Sequence, residues 1–241
     1  MVLVREVLKK AWELFIKNMM LFIGMFSMIF LITLIMGILS PDTSEGQNIQ
    51  FILFRLASNL FGMGLTVGSI RIILDVISGV ETKIENLFNS FQLLIPYIGA
   101  YLLFSLGMLL LFIPFSRLII STDSGLKLVE SFLSGDINAL VQLMAYSINF
   151  NYLFLYLLPC FYMWIKIQFF PYFIISKEMG AIEALKKSYE ITEGQSVNLV
   201  LFFMTLIMIN LLGLIPLGLG LVFTIPFSLV ATGVMFTALD C

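Results

Sequence analysis

Long apolar stretches alternate with short polar segments along the whole chain. A helix needs about 20 consecutive apolar residues to cross the core of a bilayer. Stretches of this length occur at 19–39, 51–78, 93–115, 152–176 and 196–239. The last block is long enough for two helices, and GLIPLGLG (213–220) divides it with turn-forming residues. The pattern predicts an all-α integral membrane protein with six transmembrane helices; a re-entrant pair is the alternative for the last two.

A second pattern, with apolar residues on one face only, precedes three of the spans. REVLKKAWELFI from Arg5 and IEALKKSYEITE from Ile182 share acidic, leucine, paired-lysine and aromatic positions in the same order, and IENLFNSF from Ile84 repeats part of them. Apolar residues three and four positions apart are typical of an amphipathic helix, which can lie in the membrane interface. The predicted interfacial residues are Trp12, Phe91, Tyr189, Lys9, Lys10, Lys186 and Lys187.

Together the two patterns divide a single membrane domain (1–241) into three units. Each unit is a surface helix followed by a two-span hairpin, and the units are 2–79, 81–176 and 178–239. Since each unit crosses the membrane twice, the surface helices share one side, which predicts parallel repeats rather than inverted ones. The alternative is that unrelated basic segments before spans merely resemble one another, and for the IENLFNSF copy the two interpretations stand equal.

The connection 116–151 is too long for a simple loop. After Asp136, a residue type that often caps helices, apolar residues recur along one face as far as Ile148. We expect an amphipathic helical hairpin on the outer face. It would anchor the protein in the interface, or act as a lid or partner site.

Charge distribution predicts the orientation. With the N-terminus inside, most Lys and Arg residues fall on the inner side, whereas Arg117 and Lys127 fall outside and Arg55 lies at a span end. An excess of Lys and Arg in short cytoplasmic segments sets the orientation of membrane proteins. Both termini are therefore expected to be cytoplasmic. No small-residue cleavage site follows the charged N-terminal segment, so we expect the first span to be retained.

Composition supports the membrane assignment and excludes several functions. Of 241 residues, 60% are hydrophobic and 12% charged, against about 45–50% and about 25% in soluble domains. A net charge of −2 without a basic stripe gives no reason to expect nucleic acid. Cys160 within a span and Cys241 at the end of the sequence do not predict a disulfide framework.

Two stretches resemble a poorly characterised prokaryotic family of integral membrane proteins. They are GSIRIILDVISGVETKIENLF (68–88) and FFPYFIISKEMGAIEALKKSYEITEGQ (169–195). The family includes the YciC-like proteins and the membrane domain of some glycerophosphodiester phosphodiesterases. The positions that carry the resemblance are Gly68, Arg71, Asp75, Pro171, Glu183, Ala184, Leu185, Lys187, Ser188 and Gly194. It implies a six-span protein of the prokaryotic inner membrane, associated in some members with lipid metabolism, and it implies no catalytic residues.

No pattern of residues predicts catalysis. The chain contains no His, which removes His-based acid–base chemistry, Ser-His-Asp triads and the helical zinc-protease motif. TDSG (122–125) occurs once and is typical of a turn. We therefore expect no enzyme activity, no metal site and no cofactor.

Ionisable residues in the spans define the candidate polar site. Lys166 lies roughly 16 Å from the inner end of its span at 1.5 Å per residue, and such a group usually faces protein or a water-filled cavity. The predicted polar pocket or intramembrane ion pair comprises Lys166, Arg71, Asp75, Gln168 and Asn210. The functional interpretation is a pocket for an anionic headgroup or solute. The structural one, which we favour, is a bridge from Lys166 to Asp75, or a Lys166 side chain that extends to the interface.

Small residues on the second span predict close helix packing. Ser58, Gly62, Gly64 and Gly68 form two pairs at four-residue spacing, which lets helices approach closely. Packing within the chain is favoured over a homodimer.

The sequence thus predicts a non-enzymatic membrane protein that binds or handles lipid, or scaffolds a lipid-linked process. Membrane lipids, anionic ones included, are the expected partners, and a protein partner stays open. The alternatives are a transporter or channel for a small solute, and an accessory subunit of a membrane complex.

Overall fold

The computed structural model describes residues 4–40, 49–119, 127 and 150–240, and over these residues the chain is helical without strands. The α-helices are α1 (Val4–Lys17), α2 (Met19–Ile38), α3 (Ile49–Ile77), α4 (Leu94–Ile119), α5 (Phe150–Ile167), α6 (Phe170–Lys177), α7 (Ala181–Ile191), α8 (Ser196–Leu214) and α9 (Leu221–Leu239). Two 3₁₀ segments, Ile84–Phe88 and Phe91–Leu93, precede α4. The all-α prediction is confirmed for these residues.

Within the described residues, six stretches are long and apolar enough to cross a membrane. They are Met19–Ile38, Phe51–Ile77, Ile84–Leu111, Leu157–Lys177, Ser196–Leu214 and Leu221–Leu239. The predicted number of spans is therefore confirmed by length and composition, and the protein is a multi-pass membrane protein. The fourth span consists of two helices, α5 and α6, rather than one.

The chain forms two compact units. One comprises Met1–Ala100 with Lys166–Cys241, and the other comprises Tyr101–Ile165. In the first, α9 packs against α1, α2, α3 and α8. In the second, the rings of Phe161 and Trp164 stack with centroids 6.0 Å apart.

Helix α9 forms the core of the first unit. Val230, Ala231 and Val234 are almost completely buried, and Gly233 lets α3 approach closely, because a Cβ there would lie 2.7 Å from the side chain of Ile73. Near the end of α9, Phe236 contacts aromatic residues of the α5–α6 region, with ring centroids 5.0–6.2 Å apart. The core thus links the last span to the second and fourth.

The small residues of α3 accommodate a segment of the same chain. A Cβ on Gly68 would collide with the backbone carbonyl of Leu87, and one on Gly64 with the ring of Phe91. Gly62 has open space around it. The close contact is therefore with the two 3₁₀ segments, which lie on α3.

The predicted surface helices differ among themselves. Helices α1 and α7 form where two were predicted, whereas IENLFNSF forms 3₁₀ segments instead of an amphipathic α-helix. Asn86 bonds to Thr82 at 3.0 Å and Asn89 to Asn86 at 3.1 Å, and such local side-chain bonds compete with α-helix formation. The repeat relation among the three stays a prediction.

The apolar stripe predicted on α7 does not face the protein. Its buried residues are Ala184 and Ser188, whereas Ile182 is 73% exposed and Tyr189 42% exposed. The predicted hairpin at 116–151 lies outside the described residues, except that α4 extends to Ile119, Lys127 is helical and α5 begins at Phe150.

Candidate functional site

Lys166 lies at the end of α5 and caps the C-terminus of α7. The side chain is buried, with 3% exposed, and its Nζ donates a hydrogen bond to the Thr192 carbonyl at 2.8 Å. The same Nζ lies 5.3 Å from the centroid of the Tyr189 ring. The last carbonyls of a helix lack partners within it, and a cation there complements the negative end of the helix dipole.

The Ser188 hydroxyl of α7 satisfies the backbone where the fourth span is interrupted. Pro171 has no N–H, and its ring would clash with the carbonyl four residues earlier, so α5 ends at Ile167 and α6 begins at Phe170. Ser188 Oγ donates to the Lys166 carbonyl at 3.0 Å and accepts from the Phe169 N–H at 3.1 Å. Thr192 Oγ1 lies 3.3 Å from the same Lys166 carbonyl, but it is closer to the Ser188 and Tyr189 carbonyls of its own helix, at 3.0 and 2.9 Å.

Arg71 and Asp75 form a separate polar arrangement on α3. Arg71 Nε lies 3.4 Å from Asp75 Oδ1, and Arg71 Nη1 donates to the Ile175 carbonyl in the last turn of α6 at 3.1 Å. Both residues line a polar pocket of about 220 Å³, together with Asn86, Asn89, Ser90, Gln92, Leu93 and Glu178. Its charges are mixed, so it offers no concentrated positive charge to an anion.

The predicted site residues are thus distributed over several places. Lys166 bonds to α7, whereas Arg71 and Asp75 pair with each other. Gln168 lies in the interruption between α5 and α6. Asn210 of α8 donates from Nδ2 to Ser228 Oγ of α9 at 2.9 Å, and none of Lys166, Gln168 and Asn210 is among the described residues that line the Arg71 pocket.

An apolar groove lies between α1, α8 and α9, with a volume of about 450 Å³. Its lining residues are Trp12, Phe15, Ile16, Met19, Ile209, Phe223, Thr224 and Phe227. The rings of Trp12 and Phe227 meet edge to face with centroids 5.7 Å apart. No polar atom of the wall is exposed in the groove. We call this the apolar groove.

Sequence reasoning missed both the groove and the role of Thr192. The groove combines residues of α1 with residues about 200 positions later, and no local pattern reports such a contact. A signal for Thr192 did exist, because Pro171 in a span frees carbonyls that need donors. Ser188 and Thr192 lie one turn apart on the helix that follows.

A family model with the description "Domain of unknown function (DUF7847)" matches residues 2–240 of the chain. No curated protein matches the chain, and no solved structure matches it. The family match agrees with the expected uncharacterised family, and it shows no link to YciC-like proteins or glycerophosphodiester phosphodiesterases.

Proposed function

We propose that this chain, which belongs to the DUF7847 family, is a non-enzymatic membrane protein that binds membrane lipid. The observation that carries this proposal is the apolar groove between α1, α8 and α9. Its volume of about 450 Å³ falls within the range of small-molecule sites, about 300–1,000 Å³.

The groove requires a hydrocarbon occupant. Apolar cavities exclude water, and an empty groove would forfeit the dispersion contacts of its walls. Trp12, Ile16 and Phe223 line the groove and are also 54%, 49% and 49% exposed. Since α8 and α9 are spans, the surrounding medium is lipid, and an acyl chain is the available hydrocarbon.

The surface helices support a position at the inner leaflet. Trp12 lies beside Lys9 and Lys10 on α1, and Tyr189 lies near Lys186 on α7, with each aromatic ring at least 42% exposed. Aromatic and basic residues on one helix favour the interface with its headgroups, anionic ones included. On this proposal the protein spans a prokaryotic inner membrane as three parallel units, with both termini cytoplasmic.

A filled groove tests the proposal. Ile209→Trp places a bulky ring in the groove, and Leu211→Trp places one on the exposed surface of the same helix, outside the groove. We expect Ile209→Trp to remove the lipid bound in the groove, so that native mass spectrometry from mild detergent shows fewer retained lipids than for the wild type. Leu211→Trp should retain the wild-type number.

Melting temperatures of both variants provide the control for folding, because added volume can also strain a site. If the wild-type protein retains no lipid, or if folded Ile209→Trp retains as much as the wild type, the groove is not a lipid site.

A further inference from the structure

Another cavity, larger than the apolar groove, lies on the side of the α1–α2 pair opposite to that groove. It has a volume of about 970 Å³ and lies between the α1–α2 junction and residues 76–86. On the α1–α2 pair, this cavity is lined by Leu14, Lys17, Asn18 and Leu21, and the apolar groove is lined by residues 12, 15, 16 and 19. Because successive residues of an α-helix are rotated by roughly 100° about its axis, these two sets of side chains point in opposite directions. We call this cavity the charged cleft.

The junction of the two helices keeps these directions fixed. The Asn18 N–H donates to the Leu14 carbonyl and the Phe22 N–H to the Asn18 carbonyl, both at 3.1 Å. The helical hydrogen bonds therefore continue across Asn18. The two cavities use separate faces of one nearly continuous helix.

Four charged side chains line the charged cleft, and they are Lys17, Lys83, Glu81 and Glu85. Among the described residues, none of the four makes a side-chain ion pair or hydrogen bond. Elsewhere, oppositely charged side chains do form ion pairs, as in the 2.7 Å contact between Lys177 Nζ and Asp240 Oδ2. The cleft therefore presents two cations and two carboxylates that are open to a ligand.

The remainder of the wall is partly aliphatic, and the neutral polar residues Asn18, Thr82 and Asn86 also line it. Leu14 and Leu21 line one side, and Val76, Ile77 and Val80 line the other. Leu21 lies on α2 and Val76 and Ile77 on α3, and because both helices are candidate spans, these three residues continue the apolar surface of the bilayer core toward the charges. The cleft is therefore amphipathic, because charged and aliphatic side chains line the same cavity.

We infer that the charged cleft binds the headgroup of a zwitterionic phospholipid that has a primary ammonium group. The ammonium donates hydrogen bonds to Glu81 and Glu85, and Lys17 and Lys83 bind the phosphate, while the glycerol and upper acyl carbons contact the aliphatic wall. This inference rests on the proposed lipid-binding function and adds a second site, separate from the apolar groove, for a lipid with a defined headgroup.

Charge and wall chemistry select this headgroup over others. An anionic lipid without an ammonium would meet two uncompensated carboxylates, and like charges oppose binding. A quaternary ammonium has no N–H to donate, and its usual site is an aromatic cage, whereas the described lining contains no aromatic residue. The same ammonium and phosphate occur in free phosphoethanolamine, but the aliphatic wall favours the lipid.

Headgroup selectivity tests the inference. Purified protein is equilibrated in mild detergent with equal amounts of phosphatidylethanolamine, phosphatidylglycerol and phosphatidylcholine, and retained lipids are counted by native mass spectrometry. We expect the wild type to prefer phosphatidylethanolamine. Glu81→Gln with Glu85→Gln should shift the ethanolamine-to-glycerol ratio about tenfold toward phosphatidylglycerol, the size expected for one charge-assisted hydrogen bond.

Matched variants separate the cleft from general charge effects. Glu13→Gln with Glu183→Gln removes two exposed carboxylates elsewhere and should leave the ratio unchanged. Lys17→Gln with Lys83→Gln should weaken retention of phosphatidylethanolamine and of phosphatidylglycerol, because each lipid would lose the cations that bind its phosphate. Melting temperatures confirm that each variant is folded.

Each outcome has one meaning. A wild type that retains no lipid contradicts the proposed function itself. A wild type that retains lipid without headgroup preference, or a ratio unaffected in the Glu81 and Glu85 variant, overturns only the inference about the cleft. Binding of free phosphoethanolamine with the same dependence on these residues, without retained phosphatidylethanolamine, overturns the assignment to lipid.

Discussion

Single side chains complete the ends of two short helices in this protein. Lys166 binds the carbonyl of Thr192 after α7, and Arg71 binds the carbonyl of Ile175 in α6. Cations at helix C-termini neutralise the partial negative charge of unpaired carbonyls. The structural role of Lys166 stays a prediction. Its hydrogen bond is to the main-chain carbonyl of Thr192 after α7, and the Asp75 carboxylate pairs with Arg71.

Replacing Ser188 tests how much the interrupted span depends on α7. Ser188→Ala leaves the Lys166 carbonyl and the Phe169 N–H without the hydroxyl that bonds them now. Each buried group left unsatisfied costs about 1–3 kcal/mol, so we expect a clear fall in melting temperature in detergent. Ser78→Ala, at an exposed position, is the control and should melt as the wild type does. Equal melting of both variants would show that water or Thr192 replaces Ser188.

Short elements between the spans were predicted less well than the spans. The 20-residue threshold identifies α2, α8 and α9 because hydrocarbon thickness imposes it directly. The sequence did not reveal that IENLFNSF would form 3₁₀ turns, since its apolar spacing fits an α-helix and the decisive contacts are with Gly64 and Gly68 of another helix. Those glycines were recognised as packing residues, but their partners belong to the 3₁₀ segments before α4 rather than to a long α-helix.

Gly68→Ala tests this contact at the scale of elements. The added Cβ would collide with the Leu87 carbonyl, a backbone atom that cannot rotate away, so the 3₁₀ segments must shift from α3. Overpacking of this kind costs about 1–3 kcal/mol, and we expect a lower melting temperature and faster proteolysis between 79 and 93. The control is Gly62→Ala, the same substitution on the same helix at a position where the added Cβ meets open space. This control should be neutral or should stabilise the protein by up to about 1 kcal/mol. The same loss in both variants would contradict the packing described.

At the scale of the whole molecule, the part of the chain that the structure describes combines six candidate spans with cavities that no single span contains. Each cavity wall joins residues far apart in sequence, so neither the apolar groove nor the charged cleft was predictable from local patterns. The residues predicted to form one polar site around Lys166 lie in separate local arrangements. Arg71 and Asp75 do come together, at 3.4 Å, because they lie one turn apart on one helix.

Orientation is a property of the whole molecule and is open to direct measurement. An even number of spans and the distribution of Lys and Arg predict that both ends lie in the cytoplasm. In a Cys160→Ala background, Cys241 should react with a membrane-impermeant maleimide only after permeabilisation of cells. Ser44→Cys, combined with Cys160→Ala and Cys241→Ala, should react in intact cells. Labelling of Cys241 in intact cells would contradict the predicted orientation and would place the C-terminus outside the cell.

The contacts between α7 and Lys166 also set an order of events during synthesis. The Ser188 hydroxyl and the Thr192 carbonyl that bond to Lys166 lie 22 and 26 residues later in the chain, so the ribosome makes the fourth span before it makes the groups that complete it. At a synthesis rate of about 5–20 residues per second, the Lys166 carbonyl and the Phe169 N–H lack these partners for on the order of 1–5 s. During that interval the proline break of the fourth span has to be solvated by water or by the insertion machinery, and the arrival of α7 ends this dependence.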